Sequence, residues 1–509
     1  MWGEETLEYG KEHMIVMKKT MKDHKGMLIS WMMQLGKYES NCKVNIAIFF
    51  LILISTSLYV MLRKVDMTIG DAEWYLSVGD SCFTENSFSL LNFPQTFRGC
   101  LFPLYLQFIK HSFLGVRMGW AITSGVMIGT LFAFIFPSFF GNVCAKYRLG
   151  IGMLMAFIYI GVFGDTIAYT LSDVFAAFFL ITGVYAVMKL KSEVSKIKIS
   201  VTASLSGICI YIAYNTRVVF LYGALIAVVV VLIFSDMERA KRGLLILSMF
   251  VGAFLISLPQ CIVNLNREDL FSARVYTENY SKIYGEADNL QMQQMEWGLS
   301  YNRYETYLGG EYPSASVYFI DSSGTEILRR EKLTDGLTVS KWFGLLGKYP
   351  LDMIGIYVRH VVSAMTPVFN RIYIYNLSIN TGLSILVSLF IWILFFSALL
   401  TLNRKEVVDN KVILGVMTAF FVPALMQALG AVEVRFFLPG YFMAYGYVAY
   451  GIRYRELIKR IRPIAIQTII VIAMLSVLWI GLICNVLSDN AETVILVNNE
   501  LMTVSGQTE

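Results

Sequence analysis

Long apolar stretches separated by short polar connections make up most of this chain. A membrane-spanning helix needs about twenty mostly apolar residues, because each residue adds about 1.5 Å against a hydrocarbon core of about 30 Å. Eleven candidate segments approach this length, although several are short or interrupted: Val44–Leu62, Val116–Pro137, Leu149–Gly164, Ile167–Met188, Ile199–Tyr214, Val218–Phe234, Leu244–Cys261, Leu377–Leu402, Val412–Leu429, Phe437–Ile452 and Ile464–Leu487. The pattern predicts an all-α polytopic membrane protein with about eleven transmembrane helices.

The lysines and arginines of the connections predict the orientation, because cytoplasmic loops carry an excess of both. Alternate connections are rich in them, over residues 146–148, 189–198, 239–242, 404–411 and 453–462. The short connections on the other side hold only Arg217 and Arg435, while Arg63 and Lys64 after the first span are exceptions. We therefore expect the N-terminus to be cytoplasmic.

The two ends of the chain are predicted to lie on opposite sides of the membrane. Residues 1–43 are mostly polar and are expected to form a cytosolic tail. A cleavable signal peptide has its apolar region within the first ~30 residues, so this stretch does not fit one. Residues 488–509 follow the last candidate span and are expected to form an extracytoplasmic tail.

Two long connections face outward in this topology. The first, residues 63–116, belongs to a membrane core over 44–262. It contains two apolar-rich stretches, Glu73–Val78 and Leu101–Phe113, which predict helices lying along the membrane interface. We expect this loop to form one wall of an active site.

The second long connection, residues 263–376, is predicted to be a small mixed extracytoplasmic segment. Its later part, Trp342–Pro367, has apolar residues at helical spacing but is interrupted by charged residues. Because a charge at mid-bilayer costs roughly 3 kcal/mol, we expect an interfacial or re-entrant helix here rather than a span. The C-terminal transmembrane helices follow over 377–487.

The composition agrees with a membrane protein and excludes several other classes. The chain is 56% hydrophobic and only 16% charged, whereas soluble domains carry about a quarter charged residues. The net charge of +5 comes without a basic patch interleaved with aromatics, so no nucleic-acid partner is expected. The seven cysteines form no CxxC motif. A disulfide between Cys82 and Cys100 of the first loop remains open from the sequence.

Four acidic residues near the outer surface are candidates for chemistry. Asp71 and Glu73 follow the first span, where a carboxylate beside aromatic and lipid surface keeps a usable basicity for general-base work. Asp165 is predicted in a short outer turn, and Asp173 two turns into the following span, where an acid is expected to face a cavity. For Asp71 and Asp165 the alternative is a helix cap, and for Asp173 a structural ion pair.

Three arginines are predicted on the outer side of the membrane, where lysine and arginine are scarce. The presence of each one there calls for a structural or functional explanation. Arg98, Arg217 and Arg435 lie next to predicted helix ends, and Arg359, His360 and Arg371 lie in the second loop. The planar guanidinium of arginine binds two phosphate oxygens at once, which predicts a site for a phosphate-bearing lipid. The alternative for any one of them is interfacial snorkelling toward lipid headgroups.

Motifs for other chemistries are missing from the sequence. It contains no phosphate-binding glycine-rich loop, no GxSxG and no HExxH. Four histidines, two of them in the N-terminal tail, do not provide a histidine-rich metal site. Binding of a divalent cation such as Mg²⁺ or Mn²⁺ by the carboxylates of Asp71 and Asp165 remains open.

Five short motifs carry a resemblance to a known family: GDAEWY, RGCLFPLY, TLSDVFAAFFL, NTRVVFLYG and EVRFFLPG. With the long first outer loop, over about residues 44–490, the chain resembles the C-type (GT-C) superfamily of membrane glycosyltransferases. That superfamily includes bacterial protein O-mannosyltransferases and lipid A aminoarabinose transferases. Two departures are that Ala72 separates Asp71 from Glu73, which are adjacent in many relatives, and that no folded C-terminal domain follows the last span.

The resemblance implies inverting transfer of a sugar from a polyprenyl-phosphate donor to an extracytoplasmic glycan, lipid or protein acceptor. Asp71 would be the base, with Asp165 and Glu73 as further catalytic candidates, and Arg98, Arg217 and Arg435 would bind the donor phosphate. The other residues expected around this cavity are Asp173, Trp74, Tyr75, Glu433, Arg359 and His360. The expected location is the plasma membrane of a bacterium, with the active site extracytoplasmic.

Two other classes of function remain open. A transporter or a flippase for lipid-linked sugars would place charged or broken helices near the bilayer midplane and often shows paired halves. A non-catalytic membrane scaffold or receptor would use the tyrosine-rich second loop as its binding surface. The sequence does not distinguish which sugar or acceptor a transferase would use.

Overall fold

The fold is taken from a computed structural model of the whole chain. It describes residues 42–67, 69–84, 87–141, 149–190, 195–234, 237–284, 289–307, 315–333, 336–367, 372–374, 382–454, 457, 493–497 and 500–503. The predicted N-terminal tail, the candidate span Ile464–Leu487 and Arg371 lie outside these residues.

The described part of the chain is mostly helical. The first nine helices are α1 (Cys42–Arg63), α2 (Gly70–Asp80), α3 (Leu101–Lys110), α4 (Gly115–Phe140), α5 (Leu149–Ala168), α6 (Ser172–Met188), α7 (Lys196–Thr216), α8 (Phe220–Phe234) and α9 (Arg239–Glu268). The next nine are α10 (Asn279–Tyr284), α11 (Leu290–Ser300), α12 (Ser322–Glu331), α13 (Val339–Lys348), α14 (Pro350–Ala364), α15 (Gly382–Leu400), α16 (Arg404–Asp409), α17 (Lys411–Gln427) and α18 (Leu438–Gly446).

Within the described residues, six helices are long and apolar enough to cross a membrane: α1, α4, α5, α7, α9 and α15. Helix α1 has a large apolar surface that the rest of the protein does not cover. Its side chains Phe50, Ile54 and Leu58 are each more than half exposed. Such a large exposed apolar surface marks contact with lipid or with another protein. The coarse prediction of a helical membrane-embedded protein is therefore confirmed.

The predicted number of about eleven spans is not confirmed. Helices α6, α8 and α17 are apolar but have only 15 to 17 residues, and α18 has nine residues before a π-helical turn over Tyr447–Gly451. Four of the predicted spans are thus present as apolar helices that fall below the length for an unambiguous crossing.

Close packing of α7 against α9 organises one side of the helical core. A Cβ at Gly207 of α7 would lie 2.0 Å from the Met249 carbonyl oxygen, and one at Gly252 of α9 would lie 2.0 Å from that of Ser204. Glycine at both positions lets the two backbones touch, as small residues do between membrane helices. Helix α8 packs against α17 and also contacts α7.

A small sheet lies at one end of the helices. Its strands are β3 (Tyr301–Tyr307), β4 (Ala315–Ile320), β5 (Tyr373–Ile374), β6 (Thr493–Val497) and β7 (Glu500–Thr503), in the order β5-β3-β4-β6-β7. The β3–β5 pair is parallel and the others are antiparallel. A separate two-stranded hairpin, β1 (Phe83–Thr84) and β2 (Ser87–Phe88), belongs to the first loop.

The C-terminal tail, predicted to be extracytoplasmic, contributes two strands to this sheet. Strand β6 of the tail pairs with β4 of the second long loop, in the register Ser316↔Leu496 to Phe319↔Thr493. The tail therefore lies on the same side of the helical core as that loop. Four predicted spans separate the two strands, an even number that is compatible with this pairing.

Both long loops are helical where their sequences predict it, but the single helix predicted over Trp342–Pro367 is divided into two. Helices α2 and α3 occupy the first loop, and α13 and α14 divide the later part of the second loop at Pro350, whose ring favours the first turn of a new helix. Cys82 and Cys100 are buried free thiols in one apolar cluster beside α2 and α3. They do not form a disulfide.

Candidate functional site

Asp71 lies in the first turn of α2, where the chain leaves the end of α1. Gly70 before it has a φ of +59°, in the left-handed region that favours glycine, and a Cβ here would lie 2.5 Å from the Tyr373 hydroxyl. That hydroxyl accepts a hydrogen bond from the Asp71 amide at 3.2 Å and donates one to the Ile69 carbonyl at 3.3 Å. The backbone at Asp71 is thereby fixed against β5. The residue that caps the helix is Ile69, so Asp71 is not the helix cap.

Arg98 reaches Asp71 from the turn that precedes α3. Its Nη2 lies 3.4 Å from Asp71 Oδ1, and its Nη1 donates a hydrogen bond of 2.7 Å to the Tyr75 hydroxyl. The guanidinium also lies 5.2 Å from the ring centres of both Trp74 and Tyr75, within the range of a cation–π interaction. The predicted residues Asp71, Trp74, Tyr75 and Arg98 thus lie together.

The turn that holds Arg98 is fitted against the end of α7. A Cβ at Gly99 would lie 2.1 Å from the backbone oxygen of Asn215, so only glycine allows this approach. The Asn215 side chain accepts a hydrogen bond from the Leu101 amide at 2.9 Å, and Gln260 Oε1 accepts one from the Cys100 amide at 3.0 Å. These contacts between α3, α7 and α9 give Arg98 a defined position.

Arg217 and Asp173 form a buried ion pair beside this turn. Arg217 follows the last residue of α7, and its Nη2 lies 2.6 Å from Asp173 Oδ1. Its Nε donates a hydrogen bond of 3.1 Å to Ser172 Oγ, which in turn lies 2.8 Å from the Tyr75 hydroxyl. Ser172 and Tyr75 therefore connect Arg217 with Arg98.

The predicted depth of Asp173 is wrong. The candidate span Ile167–Met188 is broken by an extended stretch at Leu171, and α6 begins at Ser172. Asp173 is therefore in the first turn of a helix, where a carboxylate is favoured by the helix dipole, rather than two turns inside a span. The sequence left open whether Asp173 is a residue of the site or part of a structural ion pair. In the structure it is in an ion pair with Arg217 and also lies in the candidate site.

Arg435 connects all three acidic residues of the site. It lies in a 3₁₀ turn, Val434–Phe437, before α18. Its Nη1 lies 2.8 Å from Asp71 Oδ2 and 3.8 Å from Asp173 Oδ2, and it also forms an ion pair with Glu433. The preceding Val432 donates a backbone hydrogen bond of 3.2 Å to Asn302 of β3, which ties this turn to the sheet.

The charges of this group balance. We call the six residues Asp71, Arg98, Asp173, Arg217, Glu433 and Arg435 the Asp71 cluster. Three guanidinium groups face three carboxylates, and the six residues come from five segments of the chain, because Glu433 and Arg435 share one turn. The Asp71 side chain is 23% exposed, whereas that of Asp173 is 4% exposed. Asp71 is therefore the more accessible of these two carboxylates.

The arginines change the expected basicity of Asp71. Burial acts to raise the pKa of its carboxyl group, but the positive charges of Arg98, Arg435 and Arg217 outweigh burial and hold that pKa well below its usual range. Asp71 is ionised at neutral pH and is a poor proton acceptor in this state. The expectation of a usable basicity rested on the aromatic and lipid surroundings alone, and the ion pairs with Arg98 and Arg435 oppose it.

Asp165 and Glu73 are placed outside the Asp71 cluster. Asp165 lies in the last turn of α5, and Arg63 Nε is 3.0 Å from its Oδ1. This pair explains why Arg63 departs from the charge bias of the loops. Glu73 is exposed, two positions after Asp71 on α2, and among the described residues it takes no part in the ion pairs of the cluster.

Arg359 and His360 belong to a different group on α14. Arg359 forms two hydrogen bonds of 2.8 Å with the Asp321 carboxylate before α12, and His360 Nδ1 lies 2.8 Å from the Ala428 carbonyl oxygen. Both contacts join α14 to its neighbours. Among the contacts of the described residues, none links either side chain to the Asp71 cluster.

His360 predicts a pH dependence of stability. Burial lowers its pKa to about 4, from about 6.5 for an exposed histidine, so the unfolded chain binds more protons between these values. The contribution of His360 to the free energy of unfolding is fully present above pH 6.5 and is lost as the pH falls toward 4. Between pH 7 and pH 5 it decreases by about 2 kcal/mol. In thermal unfolding, the stability of His360→Gln should depend less on pH than that of the wild type. An equal loss of stability between pH 7 and pH 5 in the variant and the wild type would contradict this prediction.

The two carboxylates considered for a divalent cation do not fit a metal site. Each is in an ion pair with its own arginine, Asp71 with Arg98 and Asp165 with Arg63. Within the described ranges, no three histidine, cysteine or acidic side chains come together as metal ligands would. The donor set around Asp71 is cationic and suits an anion instead.

An apolar cavity of about 290 Å³ is lined by residues of three helices, among them Tyr214, three positions before Arg217. It lies between α7, α8 and α9, and its wall on α8 extends from Leu221 to Leu232, about 16 Å along the helix axis. Tyr211 and Tyr214 line it on α7, but their hydroxyls are used in hydrogen bonds to Ala273 and Val275. The cavity therefore offers a hydrocarbon surface only, and we call it the α8 groove.

Two residues of the site, Ser172 and Tyr373, were missed in the sequence. They are ordinary polar positions whose roles depend on contacts with distant segments. Outside the site, Arg63 carried a signal as an exception to the charge bias, but nothing along the chain pointed to Asp165 as its partner. The described residues thus combine a group of three arginines with three carboxylates, of which Asp71 is partly exposed, and a separate apolar groove between α7, α8 and α9.

No family model, curated protein or solved structure matches this chain.

Proposed function

We propose that this protein is a membrane glycosyltransferase that moves a sugar from a polyprenyl-phosphate donor to a hydroxyl acceptor. The observation that carries the proposal is the group of three arginines in which Arg98 and Arg435 face Asp71 while Arg217 faces Asp173. Guanidinium groups at this position would bind the donor phosphate and stabilise the charge that develops on it as the sugar leaves. Asp71 would accept the proton of the acceptor hydroxyl.

The α8 groove supports a lipid rather than a soluble nucleotide donor. Tyr214 at one end of the groove is three residues before Arg217, or about 5 Å along the α7 axis. A phosphate held by Arg217 would thus place an attached prenyl chain at the mouth of a hydrocarbon surface. The proposed location is a bacterial plasma membrane with the Asp71 cluster outside, as the charge bias of the loops predicts.

Filling the groove should weaken binding of long-chain donors selectively. Ala253→Trp places a large ring among the residues that line the groove on α9. We expect at least a tenfold loss of affinity for a long-chain polyprenyl phosphate sugar, because about 1.4 kcal/mol of lost apolar contact gives that factor. A donor with a single prenyl unit should bind the variant and the wild type equally.

The matched control is Val251→Trp, which adds the same ring on the same helix at a side chain that is 47% exposed and does not line the groove. Affinities are compared by titration in detergent. Equal affinity of Ala253→Trp and Val251→Trp for the long-chain donor would show that the prenyl chain lies elsewhere.

The first test of the proposed function is ligand binding to the purified protein. A panel of polyprenyl phosphate sugars is compared by thermal shift, and co-purified lipids are identified by mass spectrometry. A ligand that binds only the folded protein raises its stability with concentration. Saturable stabilisation by a member of this panel, reduced in Arg98→Gln, is the expected result. Stabilisation by a small solute and by none of the lipids would favour a transporter instead.

A further inference from the structure

The Asp71 cluster holds the proposed base and the proposed phosphate-binding arginines against each other. Both oxygens of Asp71 face arginines, Oδ1 at 3.4 Å from Arg98 and Oδ2 at 2.8 Å from Arg435. A carboxylate bound in this way has little tendency to take a proton, and guanidinium groups bound in this way have less capacity for a second anion. The two activities that a transferase needs thus exclude each other in this state.

A phosphate would compete most directly for the nitrogen atoms that Asp71 uses. Other nitrogens of the same arginines have partners inside the protein, since Arg98 Nη1 binds Tyr75 and Arg435 Nη2 binds Glu433 at 2.9 Å. Arg217 binds Ser172 and Asp173. Asp71 is also more accessible than Asp173 and lies at the first turn of a short helix. It is therefore the carboxylate that a bound phosphate would replace.

We propose that the donor phosphate displaces the Asp71 carboxylate from Arg98 and Arg435, so that Asp71 becomes a proton acceptor only after the donor has bound. This inference rests on the proposed function and adds an order to it. The donor binds first, and the acceptor hydroxyl is deprotonated only in the ternary complex. The enzyme without donor has no competent base.

The groups that face Asp71 determine the direction of this change. Arg98, Arg435 and Arg217 now favour its ionised form. Once the phosphate has taken their charge, the influences that remain are burial, the negative charges of the phosphate, Asp173 and Glu433, and the neutral hydroxyls of Tyr75 and Tyr373. Burial and like charge both raise the proton affinity of a carboxylate.

The transfer step is balanced in atoms and charge. The acceptor oxygen forms a bond to the anomeric carbon, and its proton moves to an oxygen of Asp71. The bond from the anomeric carbon to the phosphate oxygen breaks, and its electron pair stays on that oxygen. The donor diester, with one negative charge, becomes a monoester with two, while Asp71 goes from ionised to neutral. The three arginines stabilise the additional charge on the phosphate.

The test uses the full-length protein in detergent and a polyprenyl methyl phosphate as probe. This diester carries one negative charge throughout the pH range used and does not itself take up protons. Binding is measured by thermal shift, and proton uptake by a pH indicator in weakly buffered solution between pH 4 and pH 6. We expect uptake that approaches about one proton per bound lipid in the wild type. Asp71→Asn should bind the probe without this uptake.

The pH dependence of affinity gives a second readout that needs no variant. If binding takes up one proton, the dissociation constant decreases up to about tenfold for each pH unit below the pKa of Asp71 in the complex. Binding with neither proton uptake nor pH dependence would overturn this inference and leave the proposed function intact. Failure of both the probe and the sugar-bearing donors to bind would contradict the proposed function itself.

Discussion

Asp71→Asn is expected to lose transfer activity by a factor of about 10²–10⁴, the usual contribution of a general base. Asparagine has nearly the same shape and cannot accept the proton, so the protein should still fold and insert into the membrane. Binding should not be lost. Without the Asp71 charge, the three arginines face only Asp173 and Glu433, and the variant should bind a polyprenyl phosphate at least as tightly as the wild type.

The matched control for this prediction is Glu73→Gln, which removes a carboxylate from the exposed side of the same helix. Its turnover should stay within a factor of two of the wild type. Rates are measured as single turnovers with saturating donor. An Asp71→Asn protein with wild-type turnover, or a Glu73→Gln protein that is inactive, would remove Asp71 from the role of base.

Loss of an arginine from the cluster should weaken donor binding. Arg98→Gln removes a guanidinium that is 20% exposed, so folding should survive. Hydrogen bonds to a charged group contribute about 1.5–3 kcal/mol, which corresponds to roughly a 10- to 100-fold loss of affinity for the donor phosphate. The acceptor site does not depend on this residue in our account, so affinity for the acceptor should be nearly unchanged.

Arg435→Gln is expected to have a larger effect with two components. Arg435 is 10% exposed and faces Asp71, Asp173 and Glu433. Its loss leaves the buried Glu433 without this partner, while Asp71 and Asp173 keep Arg98 and Arg217, and the expected cost in stability is about 3–5 kcal/mol. Donor affinity should decrease at least as much as in Arg98→Gln. Arg274→Gln, at a side chain that is 57% exposed, is the control. If donor affinity decreases equally in all three variants, the arginines of the cluster are not its binding site.

The sequence predicted much of the helical framework because a hydrocarbon environment imposes a simple length and polarity rule on each helix. Helices α1, α4, α7 and α9 lie where the apolar runs predict them. The rule failed where the chain bends within an apolar run. The break before Ser172 has no proline or glycine to announce it, so the predicted span Ile167–Met188 began too early and the depth of Asp173 was misjudged.

The sequence predicted which residues belong to the site but not which of them contact each other. Arg98, Arg217 and Arg435 were identified because each opposes the charge bias of the loops, a rule that acts residue by residue. Which carboxylate each arginine would face depends on contacts across the fold, such as that between Arg435 and Asp71. For the same reason the sequence included Arg359 and His360 in the cavity, whereas both are used to join α14 to its neighbours.

The basicity of Asp71 shows most clearly what local sequence cannot provide. Its neighbours along the chain, Gly70, Trp74 and Tyr75, suggested a carboxylate in apolar surroundings. The two arginines that determine its state, Arg98 and Arg435, are 27 and 364 positions away along the chain and arrive through the fold. The Asp71 cluster is therefore a closed ion-pair network, which in our proposal the donor phosphate opens.

The most direct test of the central claim follows a labelled sugar on a polyprenyl phosphate in proteoliposomes. Extracted cell-envelope material supplies the acceptor. The account predicts that label moves from the lipid to the acceptor fraction, that polyprenyl phosphate appears in equal amount, and that Asp71→Asn abolishes both. Labelled lipid that crosses the bilayer intact, with no polyprenyl phosphate released, would contradict a transferase and identify a flippase.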